Sequence, residues 1–263
     1  GGSAAYPEGP GLNIPVNMSV AFHSDAGCHP TDKLVGTFMF YTIKDDDQET
    51  TYPSGGDRIC NRDFADYLQT QIVEDIRQTM MPTWQKRHLM HKSMSETRNP
   101  KVPSTIIELL SHHNYYDMTF GLDPKFKFIA SRAIYKGMLR FIHQTTGTPY
   151  VVQPLPVQQM NISYANNDSL HITWAERVDR LEPTATPTYY IIYTRTSQLR
   201  DGQWQTSDWD NGIRVTTPHA TLPIQRGVKY DIMVRAGNDG GVSLPSEVLS
   251  AYIDAKYDNK LAL

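Results

Sequence analysis

The chain has 263 residues and a formal net charge of −3, with 39% apolar and 20% charged residues. That balance describes a folded protein and excludes a disordered one, and the lack of a basic excess removes the electrostatic case for nucleic acid. No apolar run approaches the roughly 20 residues of a membrane-spanning helix, and the length allows two domains of roughly 100–150 residues each.

The first residues, Gly1-Gly2-Ser3-Ala4-Ala5, carry neither an initiator Met nor a signal-peptide pattern. They read as a cut or processed end, which leaves export open. Residues 1–13 are rich in Gly and Pro and read as a loop. A strand is predicted over Val16–Phe22, ending in His23-Ser24-Asp25-Ala26-Gly27, and a second over Gly36–Thr42. Cys28 and Cys60 fit either a disulfide or two reduced thiols, and their spacing matches no zinc knuckle. The acidic stretch from Asp45 to Asp57 reads as a solvated loop, with a calcium site as the sharper alternative.

Asn61 is placed to cap a helix running to about Met80, in which Phe64, Leu68, Ile72 and Ile76 make one apolar stripe. Residues 82–99 are polar and basic and are expected to pack irregularly. His88 and His91 in this stretch would share a face on a helix; they read as surface residues, with a metal pair as the alternative. Trp84 reads as a packing residue, with sugar stacking as its alternative. A strand follows over Val102–Leu110, β-branched at its centre and interrupted by Glu108. Burying that charge costs several kcal/mol, roughly, unless a metal, cation or proton offsets it. Strand ends in α/β sheets are also where ligands and catalytic groups collect.

His112, His113 and the turn former Asn114 come next. Asp123-Pro124 opens a second helix, with Ala130, Ile134, Met138 and Phe141 as its buried stripe. Strands alternating with helices indicate an α/β domain over 1–147. Beyond a proline-bearing linker at 151–156 the texture changes. Leu170–Trp174, Tyr189–Thr194 and Val228–Ala236 alternate, and Asn238-Asp239-Gly240-Gly241 turns the chain. These features indicate an all-β sandwich over 154–253. Its Tyr189, Tyr190, Tyr193, Trp204 and Trp209 suggest carbohydrate contact, against ordinary core and edge packing.

Two strands that deliver His23 and Glu108 form the skeleton of a metal-hydrolase site, and the pair is expected to face one cleft. Asp25 either orients His23 or caps a loop. His112 and His113 either supply a ligand or substrate contact or are solvated. For Glu108 the alternative is a structural carboxylate paired with Arg98, Arg132 or Lys136.

Pro103, the strand ending in Glu108, Asn114 six positions on, Asp117 three further, Leu122-Asp123-Pro124 and Ala133-Ile134-Tyr135-Lys136-Gly137 keep a fixed order, with Arg98-Asn99 upstream. This segment resembles the C-terminal half of zinc-dependent N-acetylmuramoyl-L-alanine amidases of the amidase-3 type. Val20–Ala26 is similar to a second signature of that family. The resemblance implies zinc as cofactor, His23 as a ligand and Glu108 as the catalytic carboxylate. Asp25, Arg98, Asn114 and His112 are expected to touch substrate or steady the ligands. The implied reaction is hydrolysis of an amide in peptidoglycan or a related glycopeptide, at a secreted, periplasmic or cell-surface location.

The family's remaining metal ligands have no counterpart before His23, and Leu109-Leu110 replace its Gly-Phe. The expected fold is therefore an incomplete amidase-like α/β domain, either a fragment or a fold kept without a full site. In the sandwich, Trp174, Leu222, Gly227, Tyr230, Val234, Ala236, Asn238, Gly241 and Ser246 resemble the fibronectin type III pattern. The pairing of the two segments is similar to bacterial envelope proteins sometimes labelled xanthan lyase, although no lyase chemistry is visible in the residues. The alternative function is a non-catalytic module that binds cell-wall glycan or another polysaccharide.

Overall fold

A computed structural model describes residues 14–27, 33–166 and 168–255. The chain divides into two compact units, Gly1–Pro149 and Tyr150–Leu263. The first holds β1 (Ser19–Asp25), β2 (Thr37–Tyr41), α1 (Cys60–Thr79), β3 (Lys86–His91), α2 (Ser95–Arg98), β4 (Ser104–Ser111), α3 (Tyr115–Gly121) and α4 (Pro124–Thr146).

The four strands make a mixed sheet in the order β1-β4-β2-β3. β1 and β3 run parallel to their neighbours β4 and β2, whereas β4 and β2 are antiparallel. β4 is buried along its whole length, which explains a near-continuous apolar run in place of alternation. α1 and α4 cover one face, where Phe64, Leu68, Ile72, Ile76, Phe126 and Phe141 close over Met39 and Ile107. Gly137 permits this helix contact: a Cβ there would lie 2.9 Å from Leu68 Cδ2 and 3.0 Å from Leu68 Cα.

Several local expectations change. The predicted cap, Asn61, lies inside α1, where its buried side chain accepts from Tyr52 and the Ser104 amide and donates to the Thr42 carbonyl. The stretch 82–99 is not irregular, because it contains β3 and α2. Trp84 is a core residue whose indole N–H donates to Thr37 Oγ1 at 2.9 Å. On a strand, His88 and His91 point to opposite faces, and they stack against Phe38 and Tyr41 respectively. The acidic loop is engaged by cations of the protein: Asp45 meets Arg58 and Lys101, and Asp46 meets Arg98. Cys28 lies outside the described residues, so its pairing is not described; Cys60 is a free thiol.

β1 is an edge strand, paired among the described residues with β4 alone. Phe22 on it is 61% exposed.

The second unit is a β-sandwich built from β5 (Gln158–Asn166), β6 (Ser169–Ala175), β7 (Tyr189–Arg200), β8 (Gln203–Thr206), β9 (Ile213–Val215), β10 (His219–Pro223), β11 (Val228–Asn238), β12 (Gly241–Val242) and β13 (Leu249–Tyr252). One sheet has the order β10-β6-β5. The other is β12-β11-β7-β8, with β13 on β11 and β9 on β7. Leu170, Ile172 and Trp174 from the first sheet meet Tyr190, Ile192, Ile232 and Val234 from the second. Gly227 turns the chain at φ +77°, a backbone region that favours glycine. Just beyond it the Tyr230 hydroxyl accepts from the Gln225 amide at 3.0 Å.

The first unit buries an ion pair between its helices: Lys136 Nζ is 2.7 Å from Asp75 Oδ2, and Gln71 donates to Asp75 Oδ1 at 2.8 Å. Removing one partner of such a pair strands the other charge. Lys136→Met is expected to lower stability by about 3–5 kcal/mol, and adding Asp75→Leu to recover most of that loss. Urea unfolding of the two variants checks both statements.

Candidate functional site

Ile107 and Leu109 of β4 join the helix-covered core, so alternation sends Glu108 to the opposite face of the sheet. The register places His23 of β1 beside Glu108 on one side and Phe38 of β2 on the other. His23 Nδ1 and Glu108 Oε1 are 3.9 Å apart. His23 Nε2 lies 3.7 Å from Glu96 Oε1, contributed by α2. One imidazole thus stands between two carboxylates.

Glu108 is 9% exposed, and its Oε2 is buried with no hydrogen-bond partner among the described residues. Burial pushes its pKa above the ordinary 4.5, and the negative charge of Asp25 adds to the rise, while His23, His112 and Arg87 oppose it. The carboxyl therefore holds its proton more tightly than a solvated glutamate.

Asp25 reaches across the sheet. Its Oδ2 pairs with Arg87 Nη1 at 2.6 Å, joining the two outer strands over β4 and β2. The Arg87 guanidinium lies over the Phe38 ring at 4.8 Å. Asp25 Oδ1 meanwhile accepts from the Gly27 amide, so this side chain orders the strand end. His112 Nδ1 is 2.9 Å from Ser24 Oγ, which holds that imidazole at the end of β1.

The remaining expected residues fall elsewhere. Asn114 caps α3, accepting from the Asp117 amide at 2.8 Å and donating to the Lys33 carbonyl at 2.5 Å. Arg98 binds Asp46 and Ser93 and makes no pair with Glu108, and Lys136 is committed to Asp75. Arg87 and Glu96 join the site without having been singled out as site residues. Both lie in the stretch expected to be irregular, and only the strand pairing of β3 and the short helix α2 bring them to Glu108.

A cavity of about 810 Å³ opens toward the helix-covered side of the sheet, lined mainly by apolar groups including Phe22, Leu109, Leu110, Met118 and Phe126, with His23 and His112 among its lining residues. Glu108 is not part of that wall. His23 is therefore the group shared by the pair and the cavity.

A catalytic zinc takes three protein ligands. Among the described residues no three His, Cys, Asp or Glu side chains are arranged to hold a metal ion. The described donor set does not by itself complete a zinc site.

No protein-family model matches the sequence, and no curated protein is significantly similar to it. Solved structures are similar over part of the chain. The chain entitled titin kinase and its flanking domains is 21% identical over 39% of this chain and 18% of its own, with a TM-score of 0.30. The fourth FNIII domain of a human protein is 22% identical over 41% and 85%, with a TM-score of 0.31. The FN5 domain of Drosophila Lar is 18% identical over 38% and 97%, with a TM-score of 0.28. The neighbours are thus fibronectin type III domains or chains that carry them. No helix among the described residues is long and apolar enough to cross a membrane.

The raised pKa of Glu108 has a definite consequence for stability. Its favourable contribution is complete below the ordinary value of 4.5 and is lost as pH rises through the higher folded-state value. Glu108→Gln removes the buried anion, so the variant should melt above the parent at neutral pH. That advantage should shrink to nothing below about pH 4.5, and thermal melts across the acid range measure it directly.

Proposed function

We propose that the first unit is an amidase-like hydrolase domain acting on an amide bond of peptidoglycan or a related glycopeptide in the cell envelope, with Glu108 as its proton-transfer group. The observation that carries this is the carboxyl of Glu108, buried within a parallel strand pair, with one oxygen unpartnered and His23 alongside. A carboxyl whose pKa is raised toward neutrality serves as base and acid in turn. Glu108 takes a proton from water as the water oxygen bonds to the amide carbon. It returns that proton to the departing nitrogen as the C–N bond breaks. His23, beside Glu108, orients the water. The substrate class rests on the motif resemblance of the segment from Pro103 to Gly137.

A second reading is favoured by the donor set, in which no three described side chains are arranged to hold a metal ion, and by the exclusion of Glu108 from the cavity wall. On it, the unit keeps the fold without the chemistry, and the chain binds glycan through one or both units. Zinc dependence requires a donor from outside the described residues, and metal content after purification with zinc measures it.

Purified peptidoglycan incubated with the chain and zinc should release new amine termini. Glu108→Gln should reduce that release by about 10²–10⁴-fold while binding to the insoluble wall persists. Full activity in Glu108→Gln would remove Glu108 from the chemistry. No release by the parent, with wall binding intact, would leave the binding module.

A further inference from the structure

The sandwich carries a polar trough on the face turned away from its core. On β7, Arg195 and Ser197 lie on the face opposite Tyr190 and Ile192, which point into the core. The register sets them beside Asp231 and Lys229 of β11, and these in turn beside Ser250 and Tyr252 of β13. On the far side, Thr206 of β8 pairs with Ser197, and Trp204 follows two residues earlier on the same face. The sheet curls strongly here: Trp204 and Tyr252 stand on strands separated by two others, yet their ring centroids are 5.7 Å apart at 85°. The hollow between has a volume of about 480 Å³, within the roughly 300–1,000 Å³ of small-molecule sites.

The floor is built and the rim is open. Asp231 is buried, and its carboxylate accepts from Arg195 Nε at 3.0 Å, Lys229 Nζ at 3.1 Å and Ser250 Oγ at 2.5 Å. Burial alone would raise its pKa, but the hydrogen bonds from Ser250, Lys229 and Arg195 outweigh it and hold the group below 3.8. Asp231 is therefore an anion throughout the neutral range, and two cations share it, which leaves the trough one positive charge in excess. Arg195 and Lys229 remain more than a third exposed. Trp204 is 50% exposed and Tyr252 43%, so both rings present a face to solvent. The hydroxyls of Ser197 and Thr206 pair with each other at 2.9 Å and keep lone pairs for a ligand.

We infer that this trough binds a saccharide unit bearing a carboxylate, its ring against Trp204 and Tyr252 and its carboxylate on Arg195 and Lys229. A pyranose presents C–H bonds on its faces, which the negative face of an aromatic ring attracts, and hydroxyls at its edge, which the serine and threonine groups meet. Two rings at right angles leave no flat slot for a planar base but suit a puckered ring. The trough lies wholly within the second unit and rests on nothing in the first.

The test uses the full chain with three probes: tetragalacturonate, a hyaluronan tetrasaccharide, and the neutral methyl ester of tetragalacturonate. Tryptophan fluorescence and calorimetry should show at least one acidic probe binding about tenfold or more tighter than the ester, with affinity falling as salt rises. Trp204→Ala should weaken binding about tenfold, whereas Trp204→Phe, which keeps a ring face, should stay within about threefold. Lys229→Met should erase the preference for the acid. Failure of both acidic probes to bind overturns the inference. So does binding that ignores Trp204→Ala in a variant whose circular dichroism matches the parent.

Discussion

The parallel pairing of β1 with β4 governs everything around Glu108. Strand registers move in steps that exchange the two faces of a sheet, so a slip of one residue would send Glu108 into the helix-covered core. The register is held at both ends. The Ser19 amide donates to the Pro103 carbonyl at 2.8 Å, and Ser111 Oγ donates to the Asp25 carbonyl at 3.0 Å. Between these points the apolar demand of Ile107 and Leu109 for the helix side fixes the phase. His23 then has no choice but to stand beside the carboxylate.

Around that pair, charge and burial act in opposition. His23, His112 and Arg87 all favour the Glu108 anion, yet removal from water prevails and the proton is held more tightly. Arg87 cannot compensate fully because it is committed to Asp25 and lies over Phe38. A strap between the outer strands thus brings a cation near Glu108 without giving it a hydrogen bond. The contrast with Asp231 in the sandwich is instructive. That carboxylate is also buried, but three donors reach it and its proton affinity falls. Identical chemistry at two buried sites takes opposite directions according to the number of donors in reach.

Much of this was legible in the residues. The four-residue stripe of α1, the Asp123-Pro124 start of α4 and the unbroken run of β4 express periods and caps that are local properties of the chain. The alternating strands of the sandwich are likewise local. β3 was not legible, because Lys86-Arg87-His88-Leu89-Met90-His91 has no alternation of apolar and polar residues and its half-exposed edge position tolerates charge. With β3 went Arg87, and with α2 went Glu96, whose approach to His23 depends on tertiary placement. The closeness of His23 and Glu108 could be anticipated from their place on two strands, although both strands run past them, to Asp25 and Ser111; the separation of Glu108 from the cavity wall could not. The trough on the sandwich was hidden for another reason: Trp204 and Tyr252 meet only because the sheet curls, and no sequence period encodes that curl.

The cost of Glu108 deserves to be set against what the fold needs. An unpartnered buried polar atom costs about 1–3 kcal/mol, and more when charged. Nothing in the packing asks for that cost, since Phe38 beside it and Ile106 on the same face would accept an apolar neighbour. A carboxyl that weakens the fold it sits in, beside an exposed imidazole, is what the proposed proton-transfer role would require. The same reasoning explains why Lys136 and Asp75 carry no such implication. They are more deeply buried, but each satisfies the other between two helices, and neither lines the cavity next to His23. Burial of charge marks chemistry only where the partner is missing and a ligand could take its place.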